Sequence, residues 1–285
     1  MSETAELPDP VPLACEIHGG GSGATLVLVA GTGYPGGTWP PDVVERLAAE
    51  RSVLTFDHRG TGRTAGTGDV YSTRLFAADL AALLDERGTG PAHVVGHSMG
   101  GRVAQWLALD RPDLVLTLVL AASGPGQFSD RHAQPPGIPI RTAGGLAERG
   151  YQGYMREQIR STFFTPWFAE THSDRVASLV DAFWSGRPTL EDYLKHVAAR
   201  QAHRTTERLG EIDRPTLVLV GEEDTHVGGT GSHLEQSQFL AAAIVGAELR
   251  VISGAKHGFF WSHPDESVDA LAGWANRHDP VPARG

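Results

Sequence analysis

The strongest constraint on this chain is a rhythm. Short, β-branched apolar runs alternate with longer stretches whose apolar residues recur at helical spacing. Thr25–Ala30 (TLVLVA), Ser52–Phe56 (SVLTF), Ala92–Gly96 and Leu114–Ala121 have strand length. Between them, Asp42–Glu50, Thr73–Arg87 and Met99–Leu109 read as helices, the second with Ser72 as N-cap. A continuous apolar run of strand length suits a strand buried on both faces, and that burial requires helices above and below. The expected fold is therefore α/β: a doubly wound, mostly parallel sheet.

The rhythm stops at Ser123-Gly124-Pro125-Gly126. Residues 127–208 carry helical patterns, Gly150–Ser161, His172–Trp184 and Leu190–Ala202, without a parallel-strand signal. The alternation resumes with strand Pro215–Gly221, a helix opening on the capping-box spacing Ser232-His233-Leu234-Glu235, strand Ala247–Ile252 and helix Pro264–His278. The expected organisation is one core, 1–126 and 209–285, interrupted by a helical cap at 127–208. Ten of the chain's 21 aromatic residues fall in that cap. Most should fasten the cap helices; the remainder should line an apolar pocket between cap and core.

Composition excludes several classes. With 34 acidic and 24 basic residues in 285, the net charge of −10 argues against a nucleic-acid surface. The single cysteine, Cys15, allows no internal disulfide and no multi-cysteine metal site, and its strand-like setting Leu13–Ile17 suits a small half-buried residue. The histidines lack H-E-x-x-H spacing, so no metal is expected. The acidic, proline-containing start lacks the pattern of a signal peptide, and no apolar run nears the length of a membrane span. The expectation is a cytoplasmic protein, monomer or homodimer, with no membrane association.

The chemistry is carried by Gly96-His97-Ser98-Met99-Gly100, a G-x-S-x-G placed between a strand and a helix. A serine on so tight a turn projects at the C-terminal edge of the sheet, toward the amides of the next helix. Its weakly nucleophilic hydroxyl needs a base. His257, just after the last strand, is the best placed; His226 and His263 are rivals at the same edge, and His97 should point away along the turn. A carboxylate must orient that base. Asp224 follows strand Pro215–Gly221, and Glu222 and Glu223 leave the strand earlier and should face solvent. The backbone amides of Met99 and of Thr32, in the loop Gly31–Tyr34, are the expected donors to a developing oxyanion. Tyr34, Phe163, Trp167 and Trp184 are assigned to the substrate pocket.

These pieces resemble the α/β-hydrolase superfamily, specifically its capped esterase, lactonase and C–C hydrolase branch. The resemblance runs through VLVAGTG (27–33), FDHRGTGRT (56–64), GHSMGG (96–101), LVGEED (219–224) and GAKHG (254–258). It implies the catalytic order Ser98, Asp224, His257 and a cofactor-free serine hydrolase acting through an acyl-enzyme. The expected partner is a small hydrophobic carboxylic ester or lactone. The D-x-R-G-x-G turn, Asp57–Gly62, should brace the site. Relatives with His-Gly in the oxyanion loop contrast with Ala30-Gly31 here. Members that cut C–C bonds carry Asn before the serine and Trp after the histidine turn, where this chain has His97 and Phe259.

Four other readings compete. C–C bond hydrolysis of ring-cleavage products and cofactor-free perhydrolysis keep the same site. A hydrolase-like receptor would bind a small ligand without turnover. Finally, Gly31-Thr32-Gly33-Tyr34-Pro35-Gly36 imitates a dinucleotide fingerprint, although Pro35 and Trp39-Pro40-Pro41 delay the helix that such a motif should open.

Overall fold

The computed structural model describes residues 7–130, 132, 134–225 and 231–280. In chain order the strands are β1 (Cys15–His18), β2 (Gly23–Val29), β3 (Arg51–Phe56), β4 (Ala92–His97), β5 (Val115–Ala121), β6 (Thr216–Gly221) and β7 (Glu248–Ile252). They form one sheet in the order β1-β3-β2-β4-β5-β6-β7, in which only β1 runs antiparallel. After β3 the chain returns to the other side of β2 to lay down β4. That reversal splays the loops after β2 and β4 apart and opens a crevice at the C-terminal strand ends.

The apolar runs are strands because both faces are covered. On β2, Leu26 and Leu28 join one apolar cluster, while Val27 and Val29 join the other. Helices α1 (Pro41–Ala48) and α9 (Pro264–His278) cover the first face. Helices α2 (Thr73–Arg87), α3 (Met99–Asp110) and α8 (His233–Ala243) cover the second. Each fully buried Leu or Val contributes roughly 1.5–3 kcal/mol. The caps are those expected: Ser72 Oγ accepts from Leu75 N, and Ser232 and Glu235 form the capping box of α8.

Between β5 and β6 the described chain is helical: α4 (Ile140–Gln158), a π-helical turn Ile159–Phe163, α5 (Pro166–Thr171), α6 (Ser173–Ser185) and α7 (Leu190–Gln201). Gly150, at φ 64°, kinks α4, so its first turns precede the helix expected from Gly150. These helices pack on the first face through Ile159, Phe163, Phe183 and Val197. Among the described residues, no helix is long and apolar enough to cross a membrane.

The G-x-G-x-x-G segment opens no helix. It closes a turn, Tyr34 N to Gly31 O, and Gly36 N donates to Asp57 Oδ1 at 2.8 Å. A 3-10 turn and Trp39-Pro40 separate it from α1, so it lacks the helix N-terminus that a pyrophosphate needs.

Candidate active site

Ser98 joins β4 to α3 with φ 56° and ψ −117°, a conformation non-glycine residues rarely hold. The surroundings enforce it. Ser98 N donates to Ala121 O of β5 at 2.8 Å, and Ser98 O accepts from Ser123 Oγ at 2.8 Å. Two motif glycines are required by closeness. A Cβ on Gly96 would stand 2.3 Å from Gly100 O, and one on Gly100 would stand 2.0 Å from Val29 O.

The loop after β2 passes beside this elbow: a Cβ on Gly31 would lie 3.3 Å from Ser98 Cβ. The amide of Met99, the first residue of α3, has no acceptor within the helix. Thr32 lies buried in the adjoining loop. Helix α7 holds that loop, because Gly33 N donates to His196 Nδ1 at 3.3 Å. His196 Nε2 then donates to Arg59 O at 2.9 Å. Burial pushes His196 down to about 4, against the opposing pull of the Arg59 carbonyl, so the ring stays neutral and can accept from Gly33.

Asp57 and Arg59 brace the same loop from below. Asp57 accepts from Gly36 N and Arg63 N, and Arg59 forms a buried two-point pair with Asp79 at 2.6 and 2.7 Å.

Asp224 and His257 meet at the ends of β6 and β7. His257 Nδ1 donates to Asp224 Oδ2 at 2.8 Å, with 5% of the His257 side chain and 0% of Asp224 exposed. Burial would raise the Asp224 carboxyl, but the imidazoles of His233 and His257 overcome it and hold the group well below the carboxylate range. His257 is lowered from its ordinary value, chiefly by burial and against the pull of Asp224. A neutral, oriented imidazole is the state a general base requires.

Two histidines depart from expectation. His97 does not point away. Its ring lies 4.8 Å from that of His257, and its Nε2 donates to His257 O at 2.9 Å, fixing the His257 loop from behind. His233, the first residue of α8, places Nδ1 3.1 Å from the other Asp224 oxygen, Oδ1. Sequence reasoning passed over it, since its position beside N-cap Ser232 explained it as part of a helix start. His226 lies outside the described residues. Asp224, His233 and His257 also form a group whose ligand atoms lie within 4.8 Å of one another. The two Nδ1–H groups are spent as donors to the carboxylate, so the cluster is held by hydrogen bonds rather than offered as a set of ligand lone pairs. Here both carboxylate oxygens are engaged by the two imidazoles.

The helical segment between β5 and β6 places aromatic rings beside His257. Phe163 meets the His257 ring edge-on at 5.3 Å and stacks on Tyr34 at 5.3 Å, while Phe183 closes on Tyr34 at 5.1 Å. Among the described residues, the Tyr34 hydroxyl and Thr32 Oγ1 are buried without a hydrogen-bond partner. Trp184 sits one layer out, against Tyr151 and Phe183. Trp167 corrects the assignment of a pocket residue: it is 67% exposed, with its ring on His172. On the short helix α5, Phe168 and Ala169 take the buried face, and residue 167 is turned outward by the helical period. Phe183 and Tyr193 belong to this aromatic group and were not singled out, because helical spacing alone does not separate pocket rings from packing rings.

A doubly wound sheet with an elbow serine, a buried histidine–aspartate pair and a helical segment over them defines an α/β hydrolase. The chain belongs to the family described as alpha/beta hydrolase family, which it matches over residues 26–270. A relative from Variovorax paradoxus, named carbamate hydrolase RutD, is 35% identical over 225 residues, covering 78% of this chain and 82% of the relative. A thermophilic esterase from Thermogutta terrifontis superposes with a TM-score of 0.77 at 26% identity, covering 94% of both chains. Est816, described as an N-acyl homoserine lactone degrading enzyme, superposes with a TM-score of 0.75 at 27% identity, covering 92% of this chain and 97% of its own.

Proposed function

We propose that this hydrolase cleaves a hydrophobic carboxylic ester or lactone through an acyl-enzyme on Ser98. The observation that carries the reading is the placement of Ser98 at a φ of 56° on the elbow, with the bonded pair His257–Asp224 at neighbouring strand ends. Ser98 Oγ bonds to the carbonyl carbon as its proton passes to His257. The negative charge on the carbonyl oxygen is met by the amides of Met99 and Thr32. His257 then hands the proton to the departing alkoxide, and the ester C–O bond breaks. Water, deprotonated by His257, attacks the acyl carbon, and Ser98 takes its proton back.

The esterase and the lactone-degrading enzyme among the similar structures support an oxygen leaving group. Apolar walls from Phe163, Phe183 and Tyr34 favour an uncharged acyl part. A second reading, carbamate cleavage, is favoured by the name of the Variovorax relative. It uses the same serine, with nitrogen on the carbonyl.

The test is a panel of p-nitrophenyl esters of rising chain length, N-acyl lactones and simple carbamates. Wild type should turn over one class, and Ser98→Ala should lose about 10⁴-fold or more in kcat while melting as wild type does. Full turnover by Ser98→Ala would refute the mechanism. Turnover of carbamates alone would select the second reading.

A further inference from the structure

Asp224 is shared. Its Oδ2 accepts from His257 Nδ1 at 2.8 Å and its Oδ1 from His233 Nδ1 at 3.1 Å, and the carboxylate itself is wholly buried. The two rings lie 4.4 Å apart, tilted by 37°. His233 is held there by its place in the chain: Ser232 and Glu235 close the capping box around it, and Leu234 N donates to Asp224 O at 3.2 Å. While the His257 side chain is only 5% exposed, that of His233 is 22% exposed. One buried carboxylate thus serves two imidazoles, of which one is sealed and one is partly exposed.

We propose that His233 is a positioning residue for His257: it takes the second oxygen of Asp224 and thereby limits how much of the carboxylate's charge His257 receives. This rests on the reading of Ser98, His257 and Asp224 as the reacting set. Each N–H that a carboxylate accepts withdraws charge from its other oxygen. A proton on His233 adds a positive charge beside the His257 ring and disfavours a second one there. His233 therefore keeps His257 neutral, and available as a base, at lower pH than Asp224 alone would allow. Among the described residues, the other groups around the pair are as follows. His97, on the strand side, is pushed down to about 3, mainly by burial, and stays neutral. Arg200 of α7 acts on His257 in the same direction as His233. Glu222 is engaged by Ser253 and Gly254, Glu235 by Ser232, and Lys256 by the carbonyl of Ser161. Among the described residues that touch Asp224 through a side chain, His233 is the one that reaches solvent.

The experiment follows the rate of covalent labelling of Ser98 by a fluorophosphonate across pH 4.5–9, in wild type, His233→Leu and His233→Asn. The probe needs no knowledge of the natural substrate. His233→Leu removes both donor and charge. Its acid limb should move up by about half a unit to one unit, and its plateau should fall about two- to tenfold. His233→Asn keeps an N–H donor without a titrating ring. Its limb should also move up, with the plateau within about twofold of wild type. Limbs that overlay wild type in both variants overturn the proposal. So does a plateau as low as that of Ser98→Ala, which would make His233 the base itself. If wild type is not labelled at any pH, the reacting set is wrong and the proposal falls with it; if it is labelled but the limbs overlay, only the role of His233 fails. A substrate-free check is the low-field proton spectrum. Wild type should carry two Nδ1–H resonances bonded to Asp224, and each variant one.

Discussion

The carbonyl of Phe163, in the helical segment between β5 and β6, accepts a hydrogen bond from the amide of Gly258, the residue after His257, at 2.9 Å. The helical segment and the loop of His257 are therefore joined by main chain, while the Phe163 ring covers His257 from the side.

Gly258→Ala tests that junction. Its φ of −92° suits any residue, so the effect is one of contact rather than of backbone strain. A Cβ would stand 2.8 Å from both the Cβ and the carbonyl oxygen of Phe163. Overpacking of this kind costs about 1–3 kcal/mol. A lower melting temperature and a loss of about tenfold in kcat/KM are expected, since about 1.4 kcal/mol of displaced geometry is worth that factor. An unchanged melt with unchanged kcat/KM would show that the helical segment and the His257 loop move independently.

Asp79→Asn should destabilise the protein by about 3–5 kcal/mol, because it strands a buried guanidinium. Arg59 is wholly buried, and Asp79 is its only fully buried anion among the described residues. Urea melts of the variant measure this. A change under 1 kcal/mol would mean that Asp69, at 3.2 Å, replaces the lost charge.

Acid should unfold the chain through its buried histidines. Burial drives His58 and His97 down to about 3 and His196 down to about 4. A histidine lowered in the folded state binds its proton first in the unfolded state. Stability is therefore complete above about pH 6.5 and falls as pH decreases toward the folded values. Each such ring contributes up to about 1.4 kcal/mol per pH unit, so three remove most of a typical domain's stability by about pH 4–5. Circular dichroism against pH reads the midpoint, and His196→Gln should flatten the slope by about one proton.

Trp167 and Tyr34 make an opposed pair. Trp167→Ala should change stability by less than about 0.5 kcal/mol and leave KM alone, as exposed positions do. Tyr34→Phe removes a buried hydroxyl that has no partner among the described residues, and should raise stability by about 1 kcal/mol. If that hydroxyl serves a polar group of the substrate, KM rises in the same variant. A KM effect from Trp167→Ala would return that ring to the pocket.

Local rules carried much of this protein on their own. The apolar runs became strands within a residue or two, since a continuous Val/Leu run can be satisfied only by burial on both faces. Ser72, Ser232 and Glu235 act as written, because a cap involves only its own first turn. The serine elbow is equally local: two glycines admit crossing backbone, and the strained serine follows. What local rules left open was direction across space. His97 turned toward the base, Trp167 turned outward, and His233 reached the far oxygen of Asp224. Those outcomes depend on which loops the strand order brings together and on which face of a short helix meets the core. Neither leaves a period in the sequence, so tertiary packing alone decided which rings roof the site and how many imidazoles one carboxylate serves.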